Sequence, residues 1–288
     1  MDLNEDGHRD ILSGSYSRME DSMAGLFQVL WGQPGGGFKQ AAVLNGTDKK
    51  PLIIPIKNKE EQTQNICTRP TAVDWNVDGK LDLVVGNFAG SFYLFEGRGG
   101  GKFDPTPQPL LCGKARLNVE GAHSDPFVVD WDGDGDLDLL SGSNSGGVQW
   151  AENRAGKGKV PELKNFIWLI RPGPGIKPNQ IVNEDDLTGP AGSTRVYADD
   201  VDGDGKLDLL VGDAITLVSL VKGVSADQYK TRLSEWEKEF NEAMRTRDNA
   251  SNDKERAAAQ KKYQALYKQR EEFMKEERTG YVWLYRQK

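Results

Sequence analysis

Cysteine is nearly absent, with Cys67 and Cys112 the only two among 288 residues. That excludes a disulfide-stapled scaffold and any thiolate cluster for zinc or iron–sulfur. It leaves two idle thiols or at most one bridge. Histidine is as scarce, with only His8 and His123. His123 with Asp125, in "GAHSDPF", is too little for an acid–base centre and reads as a hydrogen-bonded turn. No GxSxG, HExxH, Walker-type loop or CxxC occurs, so no catalytic residues are assigned and the chain reads as a non-enzyme. No apolar run is long enough to span a bilayer. The opening MDLNEDGHRD lacks the basic and apolar regions of a signal peptide. A basic excess is missing too: the formal charge of -7 offers no field for nucleic acid.

What the chain has instead is glycine, 33 residues, many in turn-like clusters such as Gly35 to Gly37 and Gly99 to Gly101. Apolar residues make up 37%, a modest core with much loop. Both point to an all-β, turn-rich body. Against this background one pattern recurs four times: "DLNEDGHRDILSG" from Asp2, "DWNVDGKLDLVVG" from Asp74, "DWDGDGDLDLLSG" from Asp130 and "DVDGDGKLDLLVG" from Asp200. A β-prone segment precedes the later copies, as in "TAVDW", "FVVDW" and "RVYADDV". Each acidic loop runs into an apolar triplet and glycine. Glycine-led strands follow in the first three: "AGLFQVLWG", "GSFYLFEG" and "GGVQWAEN".

Each unit therefore predicts about four short strands, one small antiparallel sheet that cannot bury both faces alone. Radial stacking of such sheets gives a β-propeller with four recognisable blades over residues 1–224. The first unit lacks its inner strand because Asp2 already belongs to a loop. This predicts either that the chain is part of a larger propeller or that a strand upstream of Met1 is missing. Trp75 and Trp131, each directly after a loop's first aspartate, are expected to pack between blades.

The last unit is interrupted. Residues 225–278 are rich in Glu, Lys, Arg, Gln and Ala, with almost no glycine or proline. "SADQ" at Ser225 to Gln228 reads as a capping box. Apolar residues then recur at helical spacing: Tyr229, Leu233, Trp236, Phe240 and Met244, then Ala259, Tyr263, Leu266, Tyr267 and Phe273. The pattern predicts a coiled-coil-like helical hairpin inserted into the last blade. Its aromatic stripe reads as the seam between the helices, with a partner-binding surface, self-association included, as the alternative. "TGYVWLYRQ", within residues 279–288, returns to strand chemistry.

The loops share D-x-[DN]-x-D-G-x-x-D. In a tight turn the side chains at positions one, three and five can face one centre. The carbonyl at seven adds an oxygen, and the aspartate at nine closes the shell. Oxygen-only donors select a hard cation, and a crowded carboxylate loop suits calcium better than magnesium. Glycine at position six permits the sharp turn. An EF-hand would need glutamate at position twelve and helical flanks. Here position twelve is Ser13, Val85, Ser141 and Val211, and the flanks are β-prone.

These residues resemble the FG-GAP/VCBS repeat family, whose calcium loops join the first two strands of propeller blades, as in integrin α-subunit heads. The resemblance implies calcium, about four ions, which by addition would take the charge from -7 to about +1. The implied ligands are Asp2, Asn4, Asp6 and Asp10; Asp74, Asn76, Asp78 and Asp82; Asp130, Asp132, Asp134 and Asp138; and Asp200, Asp202, Asp204 and Asp208. His8, Lys80, Asp136 and Lys206, at position seven, would offer backbone oxygens only, leaving the Asp136 carboxylate in water. The implied role is a non-catalytic adhesion or protein-interaction module, extracellular, periplasmic or cell-surface, with calcium mainly structural. A carbohydrate-binding module, or a propeller attached to polysaccharide-degrading machinery, is the alternative. The partner is a protein or glycan ligand, with no nucleic acid and no membrane insertion.

Overall fold

An apolar triplet is too short for a stable helix, and its branched side chains suit a pleated strand. The computed structural model describes residues 1–15, 18–19, 23–24, 26–173 and 175–288. In it all four runs are strands: Ile11–Ser13, Asp82–Gly86, Asp138–Gly142 and the start of Asp208–Leu220. Each is the second strand of its repeat. The second sheet orders Arg69–Val73, Asp82–Gly86, Phe92–Phe95 and Gln108–Pro109. The third orders Asp125–Val129, Asp138–Gly142, Val148–Ala151 and Ile167–Ile170. The first holds only Ile11–Ser13, Gln28–Leu30 and Ala42–Val43. Gly25, which leads "AGLFQVLWG", lies outside the described residues. In the last repeat, Gly192–Asp199 and Val282–Tyr285 flank Asp208–Leu220. All these pairings are antiparallel, and each sheet is open. The body is mostly β, with two long helices near the C-terminus.

The chain divides into two compact units. The first comprises Met1–Gly175, Gly189–Ala214 and Gly280–Lys288; the second, Ile176–Thr188 and Ile215–Thr279. In the first unit, consecutive sheets meet through one recurring contact. The glycine ending each second strand lies against the next sheet's first strand. A Cβ placed on Gly14, Gly86 or Gly142 would fall 1.8, 2.2 or 2.2 Å from the carbonyl oxygen of Thr68, Ser124 or Thr194. No side chain fits there. The following N–H donates to a hydroxyl of that same neighbour: Ser15 to Thr68 Oγ1 at 3.2 Å, Asn87 to Ser124 Oγ at 2.9 Å, Ser143 to Thr194 Oγ1 at 2.9 Å.

Apolar faces close behind these locks. Val84, Phe92 and Leu94 of the second sheet pack with Leu139 and Ala151 of the third. Leu140 and Val148 of the third pack with Val196, Ala198, Leu209 and Val211 of the last. Trp75 is buried in the first of these clusters, and Trp131 is half-buried against the second. Ser124 Oγ also donates to Ser91 O at 2.7 Å. Ser124→Ala therefore strands a buried N–H and a buried carbonyl, and is expected to cost about 1–3 kcal/mol in urea unfolding. An unchanged midpoint would show that the hydroxyl lock is idle.

Within the second unit, the helical hairpin begins with the capping box expected at Ser225. Gln228 N–H donates to Ser225 Oγ at 3.2 Å, and Ser225 N–H to Gln228 Oε1 at 2.8 Å. The helices run Ala226–Asp248 and Asp253–Arg270, and Asn252 caps the second by accepting from Glu255 N–H at 3.0 Å. Tyr229, Trp236 and Ala243, seven residues apart, are buried with Leu266 and Phe273, and Trp236 Nε1 donates to Leu266 O at 2.7 Å. A coiled coil is not supported, because these positions are taken up by the hairpin's own seam.

Helix does not extend through residue 278. Met274–Thr279 is a strand, paired antiparallel to Ile215–Leu220 at the far end of the long strand. A free strand edge overrides the helical composition there. Met274 is buried and the charged residues after it stay exposed, so the segment's charge suits an outward face.

Candidate metal centre

The four acidic turns fold alike because each leading carboxylate gathers the N–H groups of its own loop. The position-six glycine N–H donates to the position-one carboxylate in every copy: Gly7 to Asp2 at 2.8 Å, Gly79 to Asp74 at 3.0 Å, Gly135 to Asp130 at 3.0 Å and Gly205 to Asp200 at 2.9 Å. These four glycines have positive φ, between 83° and 92° in the first three and 87° in the last, a region that strains any Cβ-bearing residue. The position-seven N–H donates to the position-five carboxylate: His8 to Asp6 at 2.9 Å, Lys80 to Asp78 at 3.0 Å, Asp136 to Asp134 at 3.1 Å and Lys206 to Asp204 at 2.9 Å.

Positions one, three and five converge. Asp130, Asp132 and Asp134 bring carboxylate oxygens within 4.8 Å of one another, as do Asp200, Asp202 and Asp204. Such crowding is unfavourable without a cation among the oxygens. In the first two loops Asn4 and Asn76 supply a neutral amide at position three, and each Asn side-chain oxygen accepts the position-five N–H, from Asp6 at 3.2 Å and Asp78 at 3.0 Å. In the fourth loop Arg286 Nε comes within 3.4 Å of Asp202 Oδ2, and in the second Lys80 Nζ lies 3.4 Å from Asp78 Oδ2.

The position-nine aspartates stand apart from that triad. They open the second strand, are buried, and brace the loop with both oxygens. One oxygen accepts the position-two N–H: Asp10 from Leu3 at 2.8 Å, Asp82 from Trp75 at 3.0 Å, Asp138 from Trp131 at 3.1 Å and Asp208 from Val201 at 3.3 Å. The other accepts an N–H at the end of the third strand, from Gly32, Gly97, Asn153 and Gln287 at 2.8, 2.6, 2.7 and 3.1 Å. A carboxylate oxygen has two lone pairs, so this bracing leaves room for a cation. Sequence spacing carries no sign of it, because the second donor lies 15 or more residues away. Burial pushes the Asp138 carboxyl up to about 6, against the pull of the Asn153 and Trp131 N–H groups. Burial raises Asp82 in the same direction.

Asp136 corrects one expectation. Its carboxylate does not lie in water: the residue is only 4% exposed. Oδ2 accepts the Gly156 N–H at 2.8 Å, and Oδ1 is buried without a hydrogen-bond partner. The turn Ala155–Lys157 folds over the loop, with the Lys157 stem 3.1 Å from where a Gly135 Cβ would be. Burial, then the charges of Asp134, Asp132 and Asp130, push the Asp136 carboxyl up, and burial also raises Asp132. The one available signal was that loop three alone carries an acid at position seven.

Open antiparallel sheets, the later three with an oxygen-rich loop between their first two strands and the first with such a loop ahead of its opening strand, define a class of repeat proteins. Residues 74–141 and 130–211 match the FG-GAP-like repeat, and these repeats belong to that family. No curated protein matches the chain.

Proposed function

We propose that the chain is a calcium-loaded β-propeller of the FG-GAP type, serving as a non-catalytic protein-interaction module in an extracellular, periplasmic or cell-surface setting. The observation that carries it is the third loop, where three carboxylates converge and a fourth, Asp136, keeps a buried oxygen without a partner. Oxygen-only donors with surplus negative charge fit a hard divalent cation of flexible coordination. Asp130, Asp132 and Asp134 would hold it, with Asp138 behind them. Bound calcium would neutralise the turn and pin the first strand to the second. Extracytoplasmic calcium is concentrated enough to fill weak sites of this kind. Among the described residues no helix is long and apolar enough to cross a membrane. The carbohydrate-binding alternative has less support, since none of the seven tryptophans is exposed.

Terbium tests the reading, because it substitutes for calcium and is sensitised by nearby indole, here Trp131 beside Asp130. Excitation of tryptophan should give terbium emission that calcium displaces and equal magnesium does not. Asp134→Asn should weaken the third-loop signal. Absence of sensitised emission from folded protein would sink the proposal.

Affinity at this loop should also depend on pH. The Asp138 carboxyl at about 6 holds its proton below that value, and a cation must displace it. Binding is therefore nearly flat from pH 8 to 7, and weakens about tenfold per pH unit once the proton is fully bound below pH 6. Flat affinity down to pH 5 would contradict this.

A further inference from the structure

The residues that lock one sheet to the next also bring charge to one rim. Cys67, Thr68 and Arg69 stand at the start of the second sheet's first strand, His123, Ser124 and Asp125 at the third's, and Ser193, Thr194 and Arg195 at the last's. The leading residue is left-handed each time, with φ 57°, 53° and 50°, although none is glycine. Strained residues of this kind cluster at functional sites. The middle residue supplies the hydroxyl and carbonyl of the lock. The third is Arg69, Asp125 or Arg195, at the end of the first strand away from the acidic loops, which follow Val73, Val129 and Asp199.

These three charges do not balance. Asp125 Oδ1 lies 3.7 Å from Arg69 Nε and 3.5 Å from Arg195 Nε, both at or beyond the limit of a hydrogen bond. Each guanidinium is fixed through Nη1 instead. Arg69 donates to His123 O at 2.9 Å and Ser124 O at 3.3 Å, and Arg195 to Ser193 O at 3.3 Å and Thr194 O at 3.1 Å. Neither Nη2 has a protein partner among the described residues. Burial, then the charge of Arg195, hold Arg69 below its ordinary pKa, and Asp125 offsets them only in part. One positive charge is left over, on donors already held in place. The Arg195 side chain is 47% exposed, so solvent reaches the pair from that end. His123 packs on Phe88 with ring centroids 4.2 Å apart, and burial followed by Arg69 and Arg195 keeps its imidazole neutral at pH 7. Two residues along the strands, on the same face, Phe127 meets the exposed Tyr197 at 5.2 Å.

We propose that Arg69 and Arg195 form a carboxylate site that takes an acidic side chain of a protein partner, their Nη2 groups donating to its oxygens and Tyr197 covering its aliphatic stem. A single surplus charge matches a monoanionic carboxylate and would leave a dianionic phosphate uncompensated. Guanidinium forks suit that planar group. The exposed ring beside them favours an acid on an apolar stem over a bare ion. The inference rests on the protein-interaction reading and is independent of calcium, since the acidic loops lie at the other end of the same strands.

His123 reports the site, and His8, in the first acidic loop, is the internal control, because the chain has no other histidine. The full chain, with histidine labelled for NMR, is titrated at low salt and neutral pH with the blocked tripeptide Ala-Glu-Ala. A saturable shift of His123 alone is expected, with a Kd on the order of 1 mM, as two charge-assisted hydrogen bonds allow. Ala-Gln-Ala should give no shift. Arg195→Gln should raise Kd about tenfold or more, and Asp125→Asn, which removes the competing carboxylate, should lower it about threefold or more. Opposite signs cannot come from loss of folding. The proposal is overturned if Ala-Gln-Ala shifts His123 equally, if Arg195→Gln binds unchanged, or if Asp125→Asn weakens binding. Acetate or inorganic phosphate binding as tightly as the peptide overturns it too, as does tighter binding of glucuronate, since the occupant is then a free anion or an acidic glycan. Failure here would leave calcium retention unchanged, which distinguishes it from failure of the metal reading.

Discussion

Gly142→Ala should destabilise the protein by about 3 kcal/mol or more, while Gly212→Ala should change stability by less than about 1 kcal/mol. Both glycines end the same "hhhG" run, so composition and local propensity treat them alike. They differ in what lies across from them. The Cβ of an alanine at 142 would sit 2.2 Å from the Thr194 carbonyl oxygen, and that oxygen belongs to the backbone of the last sheet's first strand. No rotamer relieves a backbone clash, so the two sheets must separate, exposing Leu140, Val148 and Val196. At 212 the new methyl meets nothing closer than 3.8 Å, and the lower entropy of the unfolded chain can even favour the variant slightly. Urea unfolding followed by tryptophan fluorescence decides. Equal midpoints for the two variants would refute the inter-sheet contact as the reason for these glycines.

Removing calcium is expected to have the largest effect of any change of conditions. Ions that bind only the folded loops stabilise by mass action, about 2.7 kcal/mol per site at a hundredfold excess over Kd. If only the two three-carboxylate loops filled, the total would be about 5 kcal/mol, equivalent to a fall of about 10 °C or more in Tm on chelation. Asp130→Asn and Asp200→Asn should each reproduce part of the fall in calcium and little of it in chelator. The distinction matters because each leading carboxylate also accepts loop N–H groups with both oxygens, of which asparagine keeps one, so the small fall left in chelator reads the lost N–H bond alone. An unchanged melting curve with and without chelator would count against structural calcium.

The sequence carried the repeat, the second strands, the convergence of positions one, three and five in the third and fourth loops, and the helical hairpin, since each rests on short-range spacing. Long-range pairing was not legible. The double brace of Asp10, Asp82, Asp138 and Asp208 needs donors from the third strand. The burial of Asp136 needs the turn at Ala155–Lys157 to fold over it. The strand at Met274–Thr279 has a helix-like composition and becomes a strand only because Ile215–Leu220 offers an edge. The "hhhG" glycine was visible as a pattern, but its cause, a neighbouring carbonyl, lies in another sheet.

The most direct test is the number of calcium ions retained by the folded chain at equilibrium dialysis, at millimolar free calcium and neutral pH. Four similarly braced loops should retain close to four ions per chain, falling by about one in Asp130→Asn and again in Asp200→Asn. Retention of none, with the protein folded, would contradict the assignment of these loops as cation sites.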